Sequence, residues 1–208
     1  MKKANFIFLI LVAFSLSCRN YDKQVGKTVF RYNEAANITT LDPAFARDQT
    51  IIWATNQLFN GLVQLNDRME IRPCIAKSWD ISNSGLEYTF HLRQDVFFHD
   101  SPVFLKGKGR RTVARDFVFS FQRIIDPKVA SPGAWIFNNV SRTLGKHAFE
   151  AMDDSTFCVR LARPFPPFLS LLSMQYCSAV PHEALEFYGA DFRRNPVGTG
   201  PFIFKMWQ

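Results

Sequence analysis

The sequence predicts a mixed α/β fold (α+β) whose strands pair mostly antiparallel. Residues 86–93 alternate strictly between apolar and polar side chains, which is the pattern of a strand that buries one face. Residues 113–124 instead repeat apolar side chains at i, i+4, i+8 and i+11, which places them on one face of a helix. Short stretches rich in Gly, Asn, Asp and Pro separate such segments, so neighbouring strands are expected to join through tight turns.

The elements predicted before residue 100 are mainly strands. They are a strand at 28–32, a helix at 49–60, a strand at 62–65, and a hairpin of strands at 79–81 and 86–93. The helix follows from the stripe of Ile51, Thr55 and Leu58, with Gly61 as its stop. The hairpin turn falls on residues 83–85, whose Asn-Ser-Gly sequence favours a chain reversal.

The second half of the chain carries more helix. Its predicted elements are a helix at 113–125, a strand at 156–161, short helices at 168–172 and 181–189, and a final strand at 200–207. Thr112 is expected to cap the first of these helices, and Asp126-Pro127 to end it. Asp153 and Asp154 precede the strand as turn formers. The aromatic side chains expected in the core are Trp53, Trp79, Tyr88 and Phe90.

The N-terminus has the layout of a secretory leader. Lys2 and Lys3 precede an apolar run at 6–14 that is too short to span a bilayer, and small residues lead to Cys18. We expect a lipoprotein signal peptide at 1–17, lipid attachment to Cys18, and a polar tether at 18–27. The alternative is an ordinary signal peptide with an incidental cysteine. The lipid is expected to hold the protein at the membrane, on the periplasmic side of the cell envelope.

Charge and cysteine content limit the possible partners. Loss of the leader removes two lysines and lowers the formal charge from +7 to +5, which does not indicate a nucleic-acid partner. The dense basic run at 106–111 contains two glycines, which is typical of a flexible, solvated loop; an anion-binding patch is the alternative. Cys74, Cys158 and Cys177 allow one disulfide without indicating which pair, and the last two are expected to be buried.

The sequence contains no pattern for catalysis or for a cofactor. It lacks the nucleophile-elbow, zinc-protease and phosphate-loop motifs, so we predict no enzyme, no catalytic residue, no cofactor and no metal. The run Val197–Pro201 is rich in glycine but is not followed by the lysine of a phosphate loop. His99-Asp100 is either half of a metal site or a solvent-facing pair at the end of a strand.

Seven short motifs, taken in order, resemble one known family. They are Ile38-Thr-Thr-Leu-Asp-Pro43, Leu58-Phe-Asn-Gly-Leu-Val63, Ile75-Ala-Lys-Ser-Trp79, Tyr88-Thr-Phe-His-Leu-Arg93, Val96-Phe-Phe-His-Asp100, Ala114-Arg-Asp-Phe-Val-Phe-Ser-Phe-Gln-Arg123 and Asn195-Pro-Val-Gly-Thr-Gly-Pro-Phe202. The series is similar to the N-terminal part of the family 5 extracellular solute-binding proteins, the oligopeptide- and dipeptide-binding receptors of ABC importers. The resemblance covers the chain from about Thr28 to its end.

The resemblance implies an architecture. It implies the first lobe of a two-lobed, type II periplasmic-binding-protein fold with an inserted antiparallel accessory domain. The first-lobe segment is expected at 28–50, the accessory domain at 51–178, and the return to the first lobe at 179–208. The second lobe, which follows in family members more than twice this length, is expected to be missing. The hairpin at 79–93 is expected to be scaffold within the accessory domain, covered on its apolar face by the 113–125 helix.

The resemblance also implies a function. It implies the substrate-binding component of an ABC transporter, which captures extracytoplasmic peptides, catalyses no reaction, acts as a monomer and delivers its ligand to permease subunits. The residues expected at the cleft rim are Asn37, Ile38, Thr39, Thr199 and Gly200. With half of the cleft missing, the chain is expected to bind peptides weakly or not at all. The alternatives are a family member that binds a nickel complex, haem or a sugar, and a degenerate lipoprotein that acts as a structural or interaction module.

Overall fold

The computed structural model describes residues 30–141 and 147–207. The chain divides into two compact units, with the boundary after residue 35. In the first unit, residues 30–32 are irregular, and the hydroxyl of Tyr32 donates to a carboxylate oxygen of Glu34 at 2.8 Å. The strand predicted at 28–32 is therefore wrong over its described part, since no described strand pairs with it. The predicted leader, Cys18 and the tether lie outside the described residues.

The described part of the second unit contains four α-helices and six β-strands. The helices are α1 (Gln49–Leu58), α2 (Ala114–Ile125), α3 (Phe168–Leu171) and α4 (His182–Tyr188); the strands are β1 (Val63–Leu65), β2 (Ile71–Pro73), β3 (Ala76–Ile81), β4 (Glu87–Leu92), β5 (Phe149–Ala151) and β6 (Thr156–Arg160). Short 3-10 helices lie at Pro43–Phe45, Leu105–Gly107, Ala134–Phe137, Gln175–Cys177 and Gly189–Arg194. None of the helices among these residues is long and apolar enough to cross a bilayer. The mixed α/β class is confirmed.

The central sheet has four antiparallel strands in the order β3-β4-β6-β5, and β1 and β2 form a separate two-stranded sheet. The predicted hairpin is confirmed, because β3 and β4 pair directly and Trp79 lies opposite Phe90. Its turn closes where the amide of Gly85 donates to the carbonyl of Ser82 at 2.8 Å. Gly85 has a φ of 67°, which glycine adopts without steric cost.

The alternation in β4 matches its burial. Tyr88, Phe90 and Leu92 are buried, whereas the residues between them stay partly exposed. Phe90 faces Phe157 of β6 in the ladder, and their rings stack with centroids 6.2 Å apart. Helix α2 closes this face of the sheet, since Phe117 packs on Phe157 at 5.7 Å. The other buried phenylalanines of the core cluster are Phe59, Phe98, Phe104, Phe121, Phe137, Phe149, Phe168 and Phe192.

The start of α2 differs from its prediction. Val113 occupies the cap position, and its backbone amide donates to the carboxylate of Asp116 at 2.8 Å. The hydroxyl of Thr112 is buried and has no hydrogen-bond partner among the described residues. Thr112 therefore does not cap the helix, because it lies one residue before the position from which a side chain reaches the first free amides. The helix ends before Asp126-Pro127, as predicted.

Two further expectations are wrong. The segment 200–207 is irregular and not the predicted strand. The amides of Gly200 and Phe202 donate to carbonyls at the end of α1, and no described strand lies beside the segment. Trp53 is 46% exposed, whereas Trp79 is half-buried and Tyr88 and Phe90 are buried. Helix α1 buries Ile51, Thr55 and Leu58, and Trp53 lies on the opposite side, about 200° around the helix from Ile51.

Candidate functional site

The predicted rim residues 37–39 lie directly before a firmly anchored stretch of backbone. Asn37 and Thr39 are exposed, and Ile38 packs against the edge of the core. The hydroxyl of Thr40 accepts a hydrogen bond from the amide of Asp42 at 3.0 Å. The amide of Leu41 donates to the carbonyl of Arg193 at 2.8 Å. The polar groups of the rim therefore face solvent while the backbone just beyond them is held.

The anchor is a buried ion pair between Asp42 and Arg123 of α2. The two terminal guanidinium nitrogens of Arg123, Nη1 and Nη2, donate to the carboxylate of Asp42, the first of them at 2.9 Å. The side chain of Asp42 is only 5% exposed and that of Arg123 only 13%. The same carboxylate accepts a hydrogen bond from the amide of Ala44 at 3.0 Å and so caps the short helix Pro43–Phe45. A bidentate pair of this kind fixes orientation as well as distance. The start of the second unit is thereby tied to α2.

The second predicted group, Thr199 and Gly200, lies in a turn that is pressed against the end of α1. The amide of Gly200 donates to the carbonyl of Leu58 at 2.9 Å. A Cβ atom on Gly198 would lie 2.0 Å from that carbonyl oxygen, and one on Gly200 would lie 2.5 Å from the carbonyl oxygen of Gln57. The glycines of this run therefore permit a close approach of two backbones, and phosphate binding need not be invoked for them.

His99 holds the same turn from its other side. Its Nε2 lies 2.7 Å from the carbonyl oxygen of Gly200, and its amide donates to the carbonyl of Gly198 at 2.8 Å. Asp100 turns away, accepting hydrogen bonds from Lys108 Nζ and from the amide of Gly109, both at 2.9 Å. No group of three metal-ligating side chains occurs among the residues with described positions. The two side chains thus point to different partners: the partly buried imidazole contacts the turn at 198–200, and the exposed carboxylate contacts residues 108 and 109.

The hydroxyl of Thr199 has neither a hydrogen-bond partner among the described residues nor measurable exposure. Both backbone groups of Gly200 are engaged, the amide by Leu58 and the carbonyl by His99. The turn is therefore fixed at its backbone, and the hydroxyl of Thr199 can reach a ligand only when the surrounding residues move. The role of Thr199 and Gly200 in ligand binding stays a prediction, as does that of Asn37, Ile38 and Thr39.

A continuous chain of buried contacts connects the two groups. The guanidinium carbon of Arg123 lies 6.0 Å from the ring centroid of Phe192, and the Phe192 ring packs edge-on against Phe59 at 6.3 Å. Phe59 follows Leu58, whose carbonyl bonds to Gly200. Sequence reasoning missed Arg123, Phe192 and His99 as supports of the site. The only sequence feature that could have indicated these residues is that Arg123 and His99 lie within two of the seven motifs and Phe192 lies just before a third.

The basic loop at 106–111 exposes Lys106 and Lys108, as predicted, but it differs from its prediction at Arg110. Arg110 is half-buried, and its guanidinium donates to Asp116 at 2.6 and 2.9 Å and to Glu183 at 2.5 and 2.8 Å. It also lies over the ring of Phe98, 5.2 Å from the centroid. Burial raises the pKa of the Glu183 carboxyl, but hydrogen bonds from Arg110 and its charge outweigh that effect, so the pKa is lowered. The loop is therefore locked at Arg110, which leaves that cation unavailable to an external anion.

The three cysteines described by the structure are free thiols. Cys158 and Cys177 are buried, which confirms the expectation for both. Burial raises the pKa of Cys158 to about 11 and raises that of Cys177 as well. Neither thiol is therefore a nucleophile at neutral pH, because the reactive form is the thiolate.

The described residues form a mixed α/β fold built around a four-stranded antiparallel sheet. Comparison with known families defines the class further. Residues 70–208 match the model of the bacterial extracellular solute-binding proteins, family 5 Middle. The chain belongs to this family of solute-binding proteins.

The curated relatives are also solute-binding proteins. The chain is 32% identical over 192 residues to the probable deoxycholate-binding periplasmic protein YgiS of Escherichia coli K12, covering 86% of the chain and 34% of the relative. It is 29% identical over 198 residues to the glutathione-binding protein GsiB of Escherichia coli O1:K1, covering 95% of the chain and 35% of the relative. The chain thus spans about a third of the length of the curated relatives it matches.

Solved structures agree with this assignment. The periplasmic binding protein DppA of Helicobacter pylori, in complex with the peptide STSA, superposes with a TM-score of 0.71 at 34% identity, covering 83% of this chain and 36% of that one. An oligopeptide-binding protein of Borrelia burgdorferi superposes with a TM-score of 0.78 at 30% identity, covering 88% and 37%. The fold is that of part of a periplasmic binding protein.

Proposed function

We propose that the protein is the substrate-binding component of an ABC transporter and captures extracytoplasmic peptides. The observation that carries this proposal is the match to DppA of Helicobacter pylori, a peptide complex that is 34% identical over 83% of the chain. The anchored backbone at 40–44, directly after residues 37–39, supports the proposal physically, since a rim must hold its shape to recognise a ligand. We assign no catalytic residue.

The rim is formed by Asn37, Ile38, Thr39, Thr199 and Gly200. Asn37 and Thr39 present exposed polar side chains to a ligand, next to backbone fixed by the Asp42–Arg123 pair. An extended peptide binds such a surface largely through its own backbone, so that contacts do not depend on one side-chain sequence. In this proposal residues 28–50 and 179–208 belong to the ligand-binding lobe, and residues 51–178 form an accessory domain.

The remaining parts of the proposal concern the place and partners of the protein. Cleavage before Cys18 and attachment of lipid to that cysteine would hold it at the membrane, on the periplasmic side of the envelope. It acts there as a monomer and passes its ligand to the permease subunits. The family name and the names of the relatives, which are extracellular and periplasmic proteins, support this location.

A second class of ligand is favoured by a specific observation. Relatives are described as binding deoxycholate, agropinic acid or Ni(L-His), which are not peptides, so a small non-peptide solute is the second candidate ligand of this chain. Large apolar side chains are exposed near the C-terminal end, among them Phe202, Ile203 and Met206 at 54–68%. Such a surface is typical of a contact with another protein segment, which fits a chain that spans about a third of its relatives' length. A polar surface there would instead have favoured a structural or interaction module.

The proposal is tested by NMR titration of the 208-residue chain, labelled with nitrogen-15. The added solutes are the peptide Ser-Thr-Ser-Ala, the nonapeptide bound by a related protein of Haemophilus influenzae, glutathione, deoxycholate and nickel–histidine. Chemical shifts detect binding at millimolar affinity, which is the range expected when a chain supplies only part of a binding surface. We expect the peptides to shift the amide signals of residues 37–39 and 198–200.

Each outcome separates the candidate functions. Shifts at these residues with peptides alone support peptide capture, and shifts with one of the other solutes alone replace the peptide by that solute. The absence of any shift at 10 mM solute, a concentration chosen to reveal millimolar binding, would agree with the expectation of weak or no binding by this chain. It would contradict the assignment of a solute contact to residues 37–39 and 198–200 and would leave the interaction module as the function that this surface supports. Micromolar binding would contradict the expectation that this chain supplies only part of the binding surface.

A further inference from the structure

We propose that His99 is a positioning residue that fixes the backbone turn at residues 198–200. The turn contains two of the proposed rim residues, Thr199 and Gly200, and His99 makes two separate hydrogen bonds to it. The functional meaning of this role rests on the proposed function, whereas the positioning itself is a property of the protein without ligand. The sequence pattern suggests for His99 only a metal-ligand or a solvent-facing role, and neither role describes its contacts.

The two hydrogen bonds of His99 bracket Thr199. Its backbone amide donates to the carbonyl of Gly198 at 2.8 Å, and its ring nitrogen Nε2 lies 2.7 Å from the carbonyl oxygen of Gly200. A carbonyl oxygen only accepts hydrogen bonds, so Nε2 must carry the proton in this contact. Both the neutral ring protonated at Nε2 and the imidazolium supply that proton. The peptide plane that joins Gly198 to Thr199 and the one that follows Gly200 are thereby held by one residue.

The opposite side of the turn is fixed by α1. Gly200 and Phe202 donate to the carbonyls of Leu58 and Gln57 at 2.9 and 3.0 Å. Because Gly198 and Gly200 lack Cβ atoms, the turn lies directly on the backbone of that helix end. The turn is therefore clamped between a helix end and an imidazole, and removing either support allows it to move away from the other.

His99 can act as a support because its own segment is held. The amide of Phe98 donates to the carbonyl of Arg110 at 3.0 Å, and the Phe98 ring stacks on Phe104 at 5.9 Å. Arg110 lies over the Phe98 ring and is bound to carboxylates of α2 and α4. The imidazole is thus presented to the turn from a segment that is tied to two helices.

Hydrogen exchange of the unliganded chain tests this role. In His99→Leu the side chain keeps similar bulk but loses the ring donor, so we expect the amides of Gly200 and Phe202 to exchange roughly three- to tenfold faster. In His99→Gln a side-chain amide donor can reach the same carbonyl, so exchange should return to within about twofold of the wild-type rate. His91→Leu is the matched control, because His91 bonds to Asp80 on the exposed hairpin.

The outcomes decide the proposal without reference to any ligand. Unchanged exchange in His99→Leu, or an equal increase in His99→Leu and His99→Gln, would overturn it. An increase that extends equally to the amides of α2 would also overturn it, because the effect would then be general destabilisation. The peptide titration is then repeated with both variants. If the wild-type chain binds no solute, the assignment of a ligand contact to the turn fails, while the exchange data still decide whether His99 positions the turn.

Discussion

Loss of the buried Asp42–Arg123 pair should destabilise the protein more than the loss of any exposed ion pair. Arg123→Leu leaves a carboxylate that is 5% exposed and retains only the amide of Ala44 as a described donor. Removing one partner of a buried pair costs about 3–5 kcal/mol, because the remaining charge is neither paired nor hydrated. At about 2–4 °C per kcal/mol for a domain of this size, the unfolding midpoint should fall by roughly 6–20 °C.

The assay is thermal and urea unfolding followed by circular dichroism, with a matched control on the surface. Arg93 also contacts its partner Asp95 through two nitrogens, at 2.8 and 3.0 Å, but both side chains are about half exposed or more. Arg93→Leu should therefore leave the midpoint within experimental error. If Arg123→Leu were no more destabilising than this control, the argument from burial would be refuted.

A double variant tests whether the cost comes from the unpaired charge. Asp42→Asn removes the charge and keeps an oxygen that can accept from the amide of Ala44. Combining it with Arg123→Leu should therefore be less destabilising than the sum of the two single changes, by about 1–3 kcal/mol. Strict additivity would show that the two side chains contribute to stability independently.

Three further predictions concern stability. Thr112→Val should raise the free energy of unfolding by about 1 kcal/mol, because the buried hydroxyl of Thr112 has no described hydrogen-bond partner. The control Thr55→Val should lower the free energy of unfolding, because the hydroxyl of Thr55 donates to the carbonyl of Ile51 at 2.7 Å. Gly198→Ala should cost about 1–3 kcal/mol in urea unfolding, because its Cβ would lie 2.0 Å from a carbonyl oxygen. The pKa of the Glu183 carboxyl is lowered in the folded state, so its contribution to the free energy of unfolding is complete above about pH 4.5 and is lost as the pH falls through the folded pKa. Glu183→Gln should therefore lower stability at neutral pH and flatten the acid side of a plot of stability against pH. An unchanged plot would contradict the ion pair with Arg110 as the cause.

Local periodicity predicted strand β4 and helix α2, because an element that buries one face must repeat its apolar residues with the period of that element. The alternation in 86–93 determines which side chains of β4 enter the core, and the apolar stripe of α2 provides the helix that covers them. The turn at Gly85 was predictable for the same local reason, since a positive φ favours glycine. The segment 200–207 was predicted incorrectly because an apolar, aromatic composition does not reveal whether a partner strand is available.

The supports of the candidate site were not predictable from local pattern. Asp42 and Arg123 lie 81 residues apart, and His99 and Gly200 lie 101 residues apart, so that only the folded chain brings them together. The charge pattern was misleading for Arg110. Its position in a basic run with two glycines suggested a solvent-exposed side chain, but two acidic side chains and two aromatic rings surround its guanidinium. Pairing of polar groups is a property of tertiary structure, whereas periodicity is a property of single elements.

The separation between exposed rim and buried anchor makes Asn37 a suitable position for testing ligand contact. Asn37 is exposed, so Asn37→Asp should change the free energy of unfolding by less than about 0.5 kcal/mol. The new carboxylate should raise affinity for a peptide with a free amino terminus by up to about fivefold, the range of an exposed charge pair, and less at high salt. Acetylation of the peptide removes the positive charge and should abolish the gain in the NMR titration. An equal gain for both peptides would show that the amino terminus does not bind near residue 37, and that the orientation of a bound peptide along this rim must be reversed or displaced.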